Sequence, residues 1–143
     1  TQPTAISATT SQTNVACNGA SNGSASVTAA GGAGGYTYSW SPSGGTAATA
    51  TGLSAGTYTC TITDANNCQI IKTFTITQPT AITATTSQTN VACNGASNGS
   101  ASVTASGGAG GYTYSWSPSG GTAATAAILP NSTTPAWFAS AVT

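Results

Sequence analysis

Charge is what this chain has least of. Its 143 residues include one Lys or Arg, one Asp or Glu and no His, so charged residues make up 1% of it, against roughly 25% in an ordinary soluble domain. The cation is Lys72 and the carboxylate is Asp64. General acid–base catalysis needs a positioned titratable group, usually His or a carboxylate with a partner; this chain has no His and no second carboxylate to pair. Nucleic-acid binding needs several Lys or Arg on phosphates, which one lysine cannot supply. Anionic membranes and acidic substrates drop out as charge-driven partners for the same reason.

Long apolar runs are also missing. No stretch approaches the ~20 residues of a membrane-spanning helix. No basic start leads into an apolar core, so no signal peptide is expected. The chain opens mid-pattern on "TQPTAIS", as a mature protein or a fragment of a longer one would. Low charge alone would fit disorder, but disordered chains combine high net charge with few aromatic and β-branched residues. Here three Trp, five Tyr and two Phe sit among many Val, Ile and Thr in alternating runs, which argues for a folded chain.

What is present is a repeat. Thr1 aligns with Thr77, and residues 1–50 match 77–126 at 48 of 50 positions; the differences are Ser7 against Thr83 and Ala30 against Ser106. After 126 the copies part: the first continues "TGLSAGTYTCTITDANNCQIIKTFTI", the second ends "AILPNSTTPAWFASAVT". A period of 76 residues is too long for a solenoid unit and suits an array of small domains. The expected domains are 1–76, a first β-sandwich repeat, and 77–143, a second repeat that matches to 126 and then diverges.

Six strands are predicted in the first copy, separated by turn signals at the spacing of a sandwich: 5–11, 24–29, 36–41, 46–51, 57–63 and 69–77. Glycine-rich turns such as "GGAGG" (31–35) and "SPSGG" (41–45) punctuate them, and helical periodicity is absent. Residues two apart share a face of a strand. That puts Tyr36, Tyr38 and Trp40 together, with Tyr58, Cys60 and Ile62 on a second face and Ile70, Phe74 and Ile76 on a third. These aromatics, with Tyr112, Tyr114 and Trp116 of the second copy, read as core. The expected fold is all-β: tandem small immunoglobulin-like or PKD-like β-sandwich repeats, the second incomplete.

Four cysteines, Cys17, Cys60, Cys68 and Cys93, allow three full pairings. The preferred reading is a structural disulfide Cys17–Cys68, closing a long loop at a gain of about 4 kcal/mol. The alternative is Cys17–Cys60, because "GTYTC" resembles the immunoglobulin F strand, with Tyr two residues before Cys. Either implies an oxidising, extracellular compartment. Without His or a CxxC pair, metal binding by these thiols is not expected. "GGAGG" lacks the Lys and the helix of a phosphate loop and reads as turn glycine. Asp64 in "TDANNC" reads as a turn residue and not as a calcium ligand. "NGS" at 22–24 and 98–100 and "NST" at 131–133 fit the glycosylation acceptor pattern. No cofactor is expected.

"CNG…NG", the "GG…YTYSW" block, "GLSAGTYT", "TDANNC" and the closing "ITQPT" together resemble the SprB-type repeat of flavobacterial gliding-motility adhesins. The resemblance covers the first copy almost end to end and the second to about 126. It implies large repetitive surface proteins of Bacteroidota, exported by the type IX system and displayed as filaments or adhesins, with no enzyme activity. Cysteines at the positions of Cys17 and Cys68 are usual in that pattern, which supports their pairing.

The reading is therefore a non-enzymatic extracellular structural or adhesive module at the cell surface. Its expected partner is itself, in a fibre or layer, because its sheet edges lack charged guards. In the second copy an unpaired edge is expected either to accept a strand from another subunit or to be covered by the folded-back tail "PAWFASAVT". Two other readings compete: an adhesin domain binding surface glycans through exposed aromatics, and an ice-binding protein suggested by the uncharged Thr- and Ala-rich "GGTAATATG".

Overall fold

The computed structural model describes residues 4–117, 121–129 and 138–142. It divides into two compact units, Thr1–Pro79 and Thr80–Thr143. Among the described residues every regular element is a strand, so the chain is all-β, built as tandem β-sandwich repeats.

Unit 1 contains β1 (Ser7–Thr13), β2 (Gly23–Ala30), β3 (Thr37–Ser41), β4 (Thr49–Leu53), β5 (Gly56–Thr63) and β6 (Gln69–Ile76). They form two three-stranded sheets, β1-β2-β4 and β3-β5-β6, with antiparallel pairing throughout. In chain order this is the A-B-E and C-F-G arrangement of an immunoglobulin sandwich without its D strand. Alternation explains the faces. Along β5, Tyr58, Cys60 and Ile62 are buried, while Thr57 points out. On β6, Phe74 and Ile76 are buried, and Ile71, of opposite parity, is 62% exposed. The sheets close on one core that joins Ala25 and Val27 of β2 to Trp40, Ile62 and Phe74. Trp40 and Phe74 lie ring to ring, centroids 5.2 Å apart and tilted by 41°, within the range in which aromatic pairs add to simple burial.

The first strand runs Ser7–Thr13 and not 5–11, and the fourth departs at both ends. The fourth strand starts at Thr49 and not at residue 46, because the turn is longer than "SPSGG": Gly44 and Gly45 take positive φ and Gly45 accepts a hydrogen bond from the Trp40 N–H. β4 then runs on to Leu53 through a bulge, since Gly23 and Ser24 pair with Leu53 and Thr51. Gly52, the unmatched residue, has φ 70°, a conformation glycine adopts at no steric cost. At the start of β5 the Tyr58 hydroxyl donates to the Ser54 carbonyl at 3.2 Å. Tyr two residues before the F-strand cysteine, bonded back to the preceding turn, is the tyrosine corner of immunoglobulin-like sandwiches.

Unit 2 repeats the first half of this plan with β7 (Thr83–Thr89), β8 (Gly99–Ser106), β9 (Thr113–Ser117) and β10 (Thr125–Leu129). Its first sheet is β7-β8-β10, and β7 pairs with β8 in the register that β1 keeps with β2. The second sheet differs. β9 pairs with β11 (Phe138–Val142), which comes from the divergent tail. Phe138 lies opposite Ser117 and Val142 opposite Thr113, as Thr59 and Thr63 lie opposite Ser41 and Thr37 in unit 1. The tail thus takes the place of β5. Among the described residues nothing takes the place of β6, and the cluster shrinks to Val103, Trp116 and Ala126 with Ala101 and Tyr114 packed against it.

Candidate functional site

Asp64 is the one acidic group, and its surroundings decide what it can do. It directly follows the hairpin strand β5 and is 5% exposed. Ala33 N–H donates to Oδ2 at 3.0 Å, and Asn66 and Cys68 N–H groups donate to Oδ1 at 2.9 Å each. Three backbone donors hold the charged form, that of Ala33 foremost, and hold the carboxyl below its usual value against the opposing effect of burial. The carboxylate therefore ties the β5–β6 turn to the glycine loop before β3, and its acceptor positions are used on the fold. Among the described residues no three metal-ligating side chains converge.

A pH dependence follows from the depressed value. Asp64 binds its proton less readily folded than unfolded, so its contribution is present above the unfolded value of about 3.9 and is lost as pH falls through the folded one. At the other limb, burial raises the Cys60 thiol; the folded state keeps its proton longer, and stability declines above about pH 8.5. Between these limits the melting temperature of unit 1 is expected to be flat. Asp64→Asn should remove the acid limb and leave the alkaline one. Thermal melts from pH 2 to 10 check this, and a slope near pH 6 would contradict it.

The structure holds all four cysteines unpaired. Cys17, Cys68 and Cys93 are exposed free thiols and Cys60 is a buried one. Topology supplies the reason. The loop carrying Cys17 is fastened to the end of β6: Val15 N–H donates to Thr77 O at 3.1 Å, and Gly19 N–H to Gln78 Oε1 at 2.9 Å. Cys68 immediately precedes the start of β6. An eight-residue strand at ~3.3 Å per residue separates them, whereas a disulfide needs Cα atoms within about 7 Å. Cys17 and Cys68 therefore stand toward opposite ends of β6. Cys60 pairs in register with Lys72, well short of Thr77. The thiols then say nothing for an oxidising compartment.

Among the aromatics, Trp40 and Tyr58 are 6% and 5% exposed, and Trp116 is 8% exposed. Tyr36 and Tyr38 are half-buried against the unit 1 cluster, and Tyr114 packs against that of unit 2. Tyr36 and Tyr112 donate their hydroxyls to Gly31 and Gly107 carbonyls, and the indole N–H groups of Trp40 and Trp116 donate to loop carbonyls, Ala47 at 2.8 Å and Ala123 at 2.7 Å. These bonds hold rings to their own turns. The glycosylation-type Asn22 and Asn98 likewise accept bonds from Ala16 and Ala92 N–H groups at 3.0 Å, shaping the loop before the second strand of each unit; Asn131 lies outside the described residues.

What the fold leaves open is backbone. β1 and β7 are edge strands of seven residues, almost wholly exposed, whose side chains are Ser, Thr, Ala and Gln. They are laced to their neighbours by hydroxyl pairs, Ser11 with Ser26 at 2.7 Å and Ser87 with Ser102 at 2.8 Å. Natural edges are blunted by charge, proline, bulges or cover; β1 and β7 carry no charge and no proline along their length. Sequence reading found the uncharged edges but missed the loop that clasps β6, since its partners, Gln12, Asn14 and Gly19, are distant in sequence from residues 75–79.

The SprB repeat family matches residues 9–45 and again 85–121. These segments run from within the first strand of each unit through its third strand. No curated protein and no solved structure matches the chain. The two matched segments make up more than half of the sequence, one in each sandwich unit, and the chain belongs to the SprB repeat family.

Proposed function

We propose that this chain is a structural and adhesive repeat module of a bacterial surface filament or adhesin, and that it self-associates through its uncharged β-surfaces and edge strands. SprB repeats are structural repeats of cell-surface adhesins and gliding-motility proteins and are not an enzyme family. The observation that carries the assembly reading is the pair of long edge strands, β1 and β7, without a charged side chain. Near-zero net charge removes the long-range repulsion that keeps such edges apart. Exposed edge strands add strands from other chains by main-chain hydrogen bonding, which needs no titratable group. Export by the type IX system and origin in Bacteroidota belong to the same proposal.

The glycan reading asks for exposed aromatic rings, and Trp40, Tyr58 and Trp116 are buried. Light scattering of the purified chain over a concentration series tests the assembly reading: mass should rise with concentration, and a constant monomer would overturn it.

A further inference from the structure

One long edge of unit 1 does carry a charge. β6 pairs with β5 alone and so forms an edge of the second sheet. In an antiparallel pair, alternate residues turn their N–H and C=O groups toward the partner and away from it. Thr75 O accepts from Gln12 Nε2 at 2.8 Å, Thr77 N–H donates to Asn14 Oδ1 at 3.0 Å, and Thr77 O accepts from the Val15 N–H at 3.1 Å. These groups point away from β5. The same parity places the outward backbone of β6 at Gln69, Ile71, Thr73 and Thr75. The clasp therefore closes the edge from Thr75 onward and leaves Gln69, Ile71 and Thr73 open. Among the described residues Ile71, 62% exposed, is the exposed large hydrophobic. Main-chain bonding at such a stretch is how a sheet gains a further strand, and Ile71 would add an apolar contact.

Lys72, the chain's one cationic side chain, stands in the middle of that stretch. It lies opposite the buried Cys60 and shares parity with Phe74 and Ile76, which are buried too. Its stem therefore starts on the core side of the sheet, and it is half-buried where Ile71 and Thr73 are exposed. A lysine so placed lays its carbons along the core and carries the ammonium past the strand edge to water. A strand added to β6 would cross that exit and shut the ammonium in. A charge taken from water without a partner is costly. The one carboxylate side chain, Asp64, already accepts three backbone N–H groups. The remaining edges of unit 1, β3 and β4, have five residues each, and β4 is bulged at Gly52; short and bulged edges resist pairing. We propose that Lys72 is a gatekeeper, which keeps β6 out of strand pairing and directs the association of unit 1 to β1. The proposal takes its role from the assembly reading, on which it rests; its place comes from the clasp and from the parity of Lys72.

The test compares the full chain with Lys72→Gln and Lys72→Arg, by light scattering over a concentration series and by amide hydrogen exchange of the associated material. Gln keeps a stem and loses the charge; a melt like that of the wild type shows the fold intact. Lys72→Gln should reach a given mass at a concentration about tenfold lower or less, with new protection over 69–74. Lys72→Thr, which matches the threonines along β6, should act the same way. Lys72→Arg should match the wild type, whose new protection falls on 7–13 and not on 69–74. Protection of 69–74 in the associated wild type, or uncharged variants that associate as the wild type does, would overturn the proposal. A wild type fixed as a monomer beside a Lys72→Gln that associates through 69–74 would refute the assembly reading and support the gatekeeper. A wild type that assembles through 7–13 beside an unchanged Lys72→Gln would refute the gatekeeper and support that reading. Monomers throughout would refute both.

Discussion

Phe74→Ala is expected to cost unit 1 about 3–5 kcal/mol, enough to unfold it or nearly so. Phe74 is 3% exposed and stacks on Trp40. It lies on β6, which closes the second sheet and holds the two sheets together by contact with β1 and β2. A unit of this size is expected to have only about 4–12 kcal/mol in hand, so one truncated ring removes a large share. Denaturant unfolding should show the transition of unit 1 moving to much lower denaturant, with that of unit 2 in place. On the same strand, Ile71→Thr should change stability by less than about 0.5 kcal/mol, because Ile71 points to solvent. Equal effects from the two positions would contradict the assigned face of β6.

The second large effect is expected at Gly31. Its φ is +76°, and a Cβ there would lie 2.3 Å from the Ala5 carbonyl oxygen. That oxygen belongs to backbone fixed on its other side, since Gly32 N–H donates to Thr4 O at 2.9 Å. Gly31→Ala therefore adds a backbone clash to the left-handed penalty of roughly 1–2 kcal/mol. Gly19 has the same φ with nothing within 4 Å, so Gly19→Ala should lose the conformational part alone. The difference between the two melts isolates the close approach. Gly107 in unit 2, with φ +82° and Ala81 O at 2.1 Å from the same construction, should behave as Gly31 does. If Gly31→Ala and Gly19→Ala proved equal, the segment that leads into β1 at Thr4 and Ala5 would not lie against the glycine loop.

Strand faces were legible in advance where large side chains alternate with small polar ones, as in "YTYSW" and "GTYTCTIT". There the period of two leaves one arrangement that buries Trp40, Tyr58 and Ile62. The fourth strand was harder, because "GTAATATGL" offers only small residues, and the Gly52 bulge depends on pairing with β2. The placement of the cysteines was hidden for a related reason. Spacing along the chain shows that Cys17 and Cys68 bracket a long loop, but not at which end of the sandwich each loop falls. That is set by strand order, which leads the loop before β2 to the end of β6. The same long-range contact hid the clasp made by Gln12, Asn14 and Gly19, three residues that read individually as ordinary turn and edge polar groups. The tail could be named as a stand-in for a missing strand, but its register against β9 could not, since β11 shares no sequence with β5.

Asp64 shows how a near-uncharged chain uses its one carboxylate. A residue satisfied by three backbone N–H groups is a brace, and with no second acidic group the unit has almost nothing to titrate between the carboxylate and thiol ranges. A surface repeat built this way keeps the same fold and the same edges across ordinary changes of pH, while the lack of charge favours association.

Assembly is the central claim, and light scattering of the intact chain over a hundredfold concentration range tests it most directly. The account predicts a weight-average mass that climbs with concentration and does not fall when salt is raised, since the contacts are uncharged edges and not ion pairs. A mass fixed at that of one chain across the whole range would contradict it.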